Sequence, residues 1–303
     1  MATFIHALGA PLPDACRGGA LTIGNFDGVH RGHQALLAEA VHKARPAVAV
    51  TFDPHPIQIL RPELVQPFLS TLDNRTQLLH QYGVDHVLVL KTSPAFLHLS
   101  ASDFFEQIVA DGLRAKFLIE GYSFAFGRNR EGTIDVLKQL CAEKGVRLTL
   151  IPPQEVAGQR VSSSRIRAEL MAGHADVAAQ MLGRPYRITG VVGTGARRGA
   201  TLGFPTANLE QIPTLIPGNG VYAARAVVDG ATWPAAVNIG PNPTFGDDAR
   251  KVETHLVGFS GQIYGKSLCL DFVKKVRDTR PFASVQELIT QIRADVDEVT
   301  RTV

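Results

Sequence analysis

Ala20-Leu21-Thr22-Ile23-Gly24-Asn25-Phe26-Asp27-Gly28-Val29-His30-Arg31-Gly32-His33-Gln34-Ala35-Leu36-Leu37 reads as a buried strand, a tight turn and the start of a helix. Leu21 and Ile23 give the strand its apolar character. Gly24 and Gly28 let the turn take a positive φ or let another group approach the backbone closely. Leu36, Leu37, Ala40, Val41 and Ala44 recur at helical spacing and form the buried face. His30 and His33 stand three apart where the helix begins, so they share one face. A helix N-terminus presents unpaired N–H groups and the positive end of a dipole, which together hold phosphate. Two imidazoles there add donors to the same anion. Without other motifs, the stretch reads equally well as a strand-turn-helix with two surface histidines.

Working outward, strand-like runs recur at residues 20–24, 47–52, 86–90, 117–119 and 148–151. Helical patterns fall between them at 33–45, 73–82, 102–111 and 134–144. Strands alternating with helices predict a parallel sheet covered on both faces, with ligands beyond the carboxyl ends of its strands. Three further stretches follow strands of this half. Thr51-Phe52-Asp53-Pro54-His55-Pro56 carries two prolines that stiffen an extended loop, and it reads as a rigid turn or a flat binding edge. Glu120-Gly121-Tyr122-Ser123-Phe124-Ala125-Phe126-Gly127 is a loop with alternating aromatics, the usual pattern of a core. Val161-Ser162-Ser163-Ser164-Arg165-Ile166-Arg167 opens a helix. One serine suffices for an N-cap. Three serines with Arg165 and Arg167 compose a polyphosphate site.

The helical pattern ends at Gly183, a C-cap followed by Pro185. Beyond it the period falls to two, in runs over 186–192, 221–228, 232–239, 252–258 and 268–276. Consecutive strands without helices predict antiparallel β, closed as a barrel or stacked as a sandwich. A last helix carries Val285, Leu288, Ile289, Ile292, Val296 and Val299 on one face, with Ser284 and Glu287 as a capping box. Gly193-Thr194-Gly195-Ala196-Arg197 and Thr201-Leu202-Gly203-Phe204-Pro205-Thr206-Ala207-Asn208 read equally well as a flexible solvent loop or as glycine N–H groups and side-chain donors brought to an anion, without the Gly-Lys-Ser/Thr of a Walker loop. Glu253 lies in an alternating strand, where a solvent-facing charge is the ordinary expectation.

The 303 residues suffice for two domains with ordinary cores. A composition 45% hydrophobic and 19% charged is that of a globular protein, and a net charge of +3 gives no argument for nucleic acid or membrane. Cys16, Cys141 and Cys269 are widely spaced and odd in number, so no disulfide framework or metal spacing follows from them, and a reducing cytoplasm is the expected setting.

Gly-Asn-Phe-Asp-Gly-Val-His-x-Gly-His over residues 24–33 resembles the His-x-Gly-His signature of nucleotidyltransferases, in the form seen in prokaryotic bifunctional FAD synthetases. The Phe-Asp-Pro-His-Pro loop, the Ser-Ser-Ser-Arg-Ile-Arg run and Gly-x-x-Leu-Gly-Phe-Pro-Thr-Ala-Asn resemble the same family, in its order. The resemblance implies a Rossmann-like α/β domain over 1–183 that adenylylates FMN to FAD with release of pyrophosphate. It implies a mainly antiparallel β-barrel with a C-terminal helix over 184–303 that phosphorylates riboflavin to FMN. In the first domain Gly24, Asn25, Asp27, His30, His33, Ser162, Ser163, Ser164, Arg165 and Arg167 would hold ATP, with His30 and His33 catalytic. Phe52, Pro54, Pro56, Ser123 and Phe126 would border the flavin. In the second, Gly193, Gly195, Arg197, Thr201, Gly203, Thr206 and Asn208 would hold ATP, Thr206 and Asn208 also Mg²⁺. Glu253 would be the base, and Arg277 and Phe282 would meet the flavin. Three positions depart from the family pattern: Ser123 replaces Asp or Asn, Asn242 replaces Arg and Thr279 replaces an acid. The partners implied are small-molecule substrates and, transiently, a second copy of the chain, with no nucleic acid or membrane. Two rivals are the same chemistry on another small phosphate and a non-catalytic flavin carrier.

Overall fold

Leu21, Ile23, Val48, Val50, Leu88 and Leu90 pack into one apolar layer, while Ala49, Val87 and Val89, which lie between them in sequence, pack into another. Strands apolar at every position are buried on both faces, the condition of a parallel sheet. In the computed structural model, which describes residues 1–194, 198–242 and 247–303, that sheet has six strands. They are β1 (Ala2–His6), β2 (Ala20–Ile23), β3 (Ala47–Asp53), β4 (His86–Lys91), β5 (Phe117–Gly121) and β6 (Arg147–Ile151), ordered β1-β4-β3-β2-β5-β6 and parallel throughout. α1 (Arg31–Lys43) and α3 (Leu72–Gln81) bring Leu37 and Leu79 to one layer. Phe96 of α4 (Pro94–Leu97), Phe104 of α5 (Ala101–Phe104) and Leu137 of α6 (Ile134–Lys144) join the other.

The chain divides into two compact units, Met1–Gln66 with Ser70–Val161, and Pro67–Leu69 with Ser162–Val303. The second contains α7 (Ser163–Ala172), α8 (Ala175–Leu182) and a closed barrel. Its strands are β9 (Tyr186–Gly193), β10 (Ala207–Glu210), β11 (Gly220–Val228), β12 (Ala231–Asn242), β13 (Asp247–Leu256) and β14 (Ser267–Arg277), ordered β10-β13-β12-β11-β14-β9, with β9 closing on β10. Every pairing is antiparallel. Closure as a barrel decides between the two architectures left open by the period-two pattern. The last helix is α10 (Val285–Thr302).

Several elements differ from the sequence reading. β1 and the four-residue β10 read as loop, as did α2 (Pro56–Leu60), which begins at the second proline of the stretch expected to stay extended. Pro at the first helical position is pre-set for a helix, and His55 caps it by accepting from Ile57 N–H at 3.1 Å. The helix expected over 102–111 is α5 followed by a π-helical stretch, Phe105–Ala110. The capping box at Ser284 is half made. Ser284 Oγ accepts from Glu287 N–H at 3.1 Å, but the Glu287 carboxylate takes the N–H of Ala283 rather than that of Ser284.

Candidate functional sites

β2 is the strand at which the order of the parallel sheet reverses, with β3 on one side and β5 on the other. At such a point the loops beyond the two strands part and leave a crevice. The β2–β5 ladder has two residue pairs, Ala20↔Phe117 and Leu21↔Leu118. After that Ile23 N–H donates to Glu120 Oε1 at 2.7 Å. Glu120 is 1% exposed, and burial pushes its carboxyl pKa well above the ordinary value, against the opposing pull of the Ile23 N–H.

The turn after β2 is strained. Phe26 (φ 49°) and Val29 (φ 40°) are both in the left-handed region and fully buried. Each such residue costs about 1–3 kcal/mol, so packing around it has to hold it there. The fastenings are specific. Asp27 Oδ1 accepts from Ser70 N–H at 3.0 Å and from Ser70 Oγ at 3.1 Å, and Gly28 N–H donates to Ser70 Oγ at 3.0 Å. Thr51 Oγ1 donates to the Asn25 carbonyl at 3.2 Å. Arg75, 5% exposed, donates from Nη1 to Thr51 Oγ1 and to the Phe52 carbonyl, each at 3.3 Å.

This frame presents the two histidines. His30 is the N-cap of α1, and its Nδ1 accepts from His33 N–H at 3.3 Å. A neutral His30 ring therefore carries its proton on Nε2. The His30 and His33 rings stack at 3.6 Å with 15° between planes, and Phe26 meets His33 edge-on at 5.1 Å. Burial lowers the His33 pKa well below the ordinary value, and the charges of His30 and Arg75 act in the same direction. His33 is thus held neutral. Its Nδ1 and Asn25 Oδ1 are buried and have no hydrogen-bond partner among the described residues.

The candidate flavin residues of the same unit lie at the ends of β3 and β5. Phe52 tilts against Phe96 at 5.9 Å, with Pro54 and Pro56 following it. Ser123 is exposed and accepts from Arg160 Nη2 at 2.6 Å, in the short β7–β8 ribbon (Glu155–Val156, Gln159–Arg160). Phe126 is buried in the core, and the half-buried Phe124 stacks on it at 5.4 Å.

The serine-arginine run opens the second unit. Ser162 Oγ accepts from Arg165 N–H at 3.2 Å and caps α7. Ser163 and Ser164 form its first turn. Arg165 is paired with Glu169 at 3.1 Å, and Arg167 Nε donates to the Pro67 carbonyl at 2.9 Å.

In the barrel the register assembles a row. Asn208 pairs with Gly193 across β9 and β10 and with Glu253 across β10 and β13, and Glu253 pairs with Asn238 across β13 and β12. Directly opposed residues share a face, so Gly193, Asn208, Glu253 and Asn238 line up over four strands. Asn208, Glu253 and Asn238 are half-buried, whereas Ala207, Val252, Thr254 and Ile239 beside them are buried. The candidate phosphate loop precedes this row. It runs through α9 (Arg198–Thr201) and Gly203 (φ 87°) to Thr206. Gly195, Arg197 and residues 243–246 lie outside the described residues. The Thr206 hydroxyl and the Asn208 amide offer hard oxygen donors. That set fits a Mg²⁺ that keeps most of its ligands as water and phosphate oxygens. Among the described residues no cluster of three or more His, Cys, Asp or Glu could hold a metal by itself.

Arg277 at the end of β14 is engaged by a residue the sequence reading passed over. Its Nε and Nη2 donate to Asp295 of α10 at 2.9 and 2.7 Å, and Asp295, 4% exposed, also accepts from Gln291 Nε2 at 2.9 Å. Phe282 lies under Arg277 at 5.6 Å and Arg280 at 5.1 Å. Arg75 and Asp295 shared one legible signal. Each charge stands three or four residues from apolar positions of its own helix, Leu72 and Leu79 for Arg75, Ile292 and Val299 for Asp295.

Comparison with known proteins bears on both units. The FAD synthetase family model matches residues 13–165 and the riboflavin kinase model residues 182–303. A bifunctional riboflavin kinase/FMN adenylyltransferase of Pseudomonas fluorescens is 40% identical over 285 residues, covering 92% of this chain and 91% of that one. The protein of the same description from Escherichia coli K12 is 35% identical over 296 residues, covering 96% and 94%. A crystal structure described as a macrolide-efflux protein from Streptococcus pneumoniae superposes with a TM-score of 0.86 at 30% identity and covers 99% of both chains. Among the described residues of this chain no helix is long and apolar enough to cross a membrane.

Proposed function

The chain belongs to the bifunctional riboflavin kinase/FMN adenylyltransferase family, and from that premise we propose how its residues divide the two reactions. Residues 1–183 supply the adenylyltransferase and 184–303 the kinase. The helical pattern ends at Gly183, and a boundary there agrees with a FAD synthetase match that runs to residue 165 and a riboflavin kinase match that begins at 182.

In the adenylyl transfer a phosphate oxygen of FMN attacks the α-phosphorus of ATP, and the bond to the departing pyrophosphate breaks. The nucleophile is already anionic, so the protein needs no general base. Its task is to align the two phosphates and to neutralise developing charge. His30 and the neutral His33, the Gly24-Asn25-Phe26-Asp27 turn, Ser162–Ser164, Arg165 and Arg167 serve ATP. Asp27 acts by fastening the turn through Ser70. Phe52, Pro54, Pro56, Ser123 and Phe126 border the flavin.

The kinase reaction differs, because the 5′-hydroxyl of riboflavin becomes a good nucleophile only as its proton leaves. Glu253 takes that proton, the hydroxyl oxygen bonds to the γ-phosphorus, and ADP departs. Gly193, Gly195, Arg197, Thr201, Gly203, Thr206 and Asn208 hold the nucleotide. Thr206 and Asn208 would hold Mg²⁺, which when bound offsets phosphate charge. Arg277 acts on the flavin end by fixing the segment that carries Phe282. The observation that carries the reading is the pairing of Asn208 with Glu253 across β10 and β13. We place the enzyme in the cytoplasm, with small molecules as its partners and self-association transient.

A chromatographic time course with riboflavin, ATP and Mg²⁺ tests this. FMN should appear first, then FAD with pyrophosphate. Flavin binding without ATP consumption would instead make the chain a carrier.

A further inference from the structure

The β10–β13 ladder holds two residue pairs, Ala207↔Thr254 and Asn208↔Glu253. One step further, Thr206 would face His255, but Pro205 precedes it and has no N–H to continue the ladder. A two-pair ladder is a weak clamp for the segment that carries Thr206 and Asn208. At this point a side chain takes over from the backbone. His255 Nδ1 lies 2.8 Å from the Pro205 carbonyl oxygen. That oxygen can only accept, so Nδ1 carries the hydrogen. The same ring meets Phe204 edge-on at 5.6 Å with 79° between planes. Phe204 N–H in turn donates to the Gly199 carbonyl at 2.8 Å. A Cβ on Gly199 would overlap the Phe204 carbonyl oxygen and come within 3.1 Å of Thr206 Oγ1, so the loop closes tightly on itself.

His255 stands two residues after Glu253 in β13, so both lie on one face of that strand. One strand therefore carries the base and, beside it, the group that grips the nucleotide loop. We propose that His255 is a positioning residue of the kinase reaction, clasping the Pro205 carbonyl so that Thr206 and Asn208 stay aligned with Glu253 for the phosphates of ATP. This rests on the kinase reading of the barrel.

The test uses the full chain and three substitutions, His255→Ala, His255→Asn and His255→Gln. The asparagine amide nitrogen falls near the position of Nδ1, whereas the glutamine nitrogen reaches toward that of Nε2. His255→Ala should lower kcat for FMN formation by about tenfold, since small misplacements of aligned groups cost that much or more. The KM for riboflavin should stay within about twofold, because the flavin end is untouched. His255→Asn should recover most of the rate and His255→Gln should not. FAD formation from added FMN should be unchanged in all three, which fixes the loss to the barrel. An alanine variant as fast as wild type overturns the proposal. So does equal loss in the asparagine and glutamine variants, or a barrel that unfolds in both by circular dichroism, since His255 would then serve packing alone. If the wild-type chain makes no FMN, the kinase reading itself is what fails.

Discussion

Glu120 shows how far one buried group can be followed. Its raised carboxyl pKa means that the folded state binds the proton more tightly than the unfolded state does. The stability this confers is complete below the ordinary value of 4.5 and is lost as pH rises from there through the folded value. Glu120→Gln keeps an oxygen to accept from Ile23 N–H and has nothing to ionise. The variant should match wild type at about pH 4 and be the more stable at pH 8, as read by urea unfolding at both values. A wild type that gains on the variant toward pH 8 would show an ionised, paired Glu120. His33 slopes the other way. Its pKa is depressed, so its contribution is present above the ordinary 6.5 and falls away as pH drops below that. That acid-side slope should survive in the glutamine variant.

Among the elements, α10 has the clearest energetic signature. It reaches the barrel through Asp295, whose carboxylate takes two nitrogens of Arg277 and one of Gln291. Removing one partner of such a pair leaves the other charge poorly solvated, a loss of about 3–5 kcal/mol for buried pairs. The Arg277 side chain is 21% exposed, which favours the low end. Asp295→Ala should lower the unfolding free energy of the barrel by about 3 kcal/mol. It should also raise the KM for riboflavin, because Arg277 and Phe282 lose their fixed relation. An unchanged KM in a folded variant would separate Arg277 from the flavin. The strands and helices of this chain were largely legible from period and caps. The capped helices at Arg31, Ile134 and Val285 and the long barrel strands followed from spacing. β10 was not legible, since four residues behind a proline carry no period, and only closure with β9 and β13 makes them a strand. The motifs proposed for the two reactions stand out because glycines, histidines and serines recur at fixed separations. For Arg75 and Asp295 only the apolar flanks were legible, and for His255 nothing was, because the partners Thr51, Arg277 and Pro205 are distant in sequence or lie on another strand.

At the scale of the whole molecule, the two polar constellations belong to different folds. His30 and His33 depend on the strained turn after β2, and Glu253 on barrel register. His30→Ala should therefore reduce FAD formation by two orders of magnitude or more while FMN formation stays within about twofold. Glu253→Ala should do the reverse. Both can be followed in one chromatographic assay supplied with riboflavin or with FMN. Loss of both activities in either folded variant would end the division of labour proposed above. The parallel sheet also has a practical consequence. Its strands all run one way, so the loops bearing Gly24–His30, Phe52–Pro56 and Gly121–Phe126 leave one edge, while Ala2 begins β1 at the other, opposite His86. A strand of this length spans about 17 Å. A surface tether or fluorophore attached ahead of Ala2 would thus leave from the far edge of the sheet, opposite the edge that bears those loops.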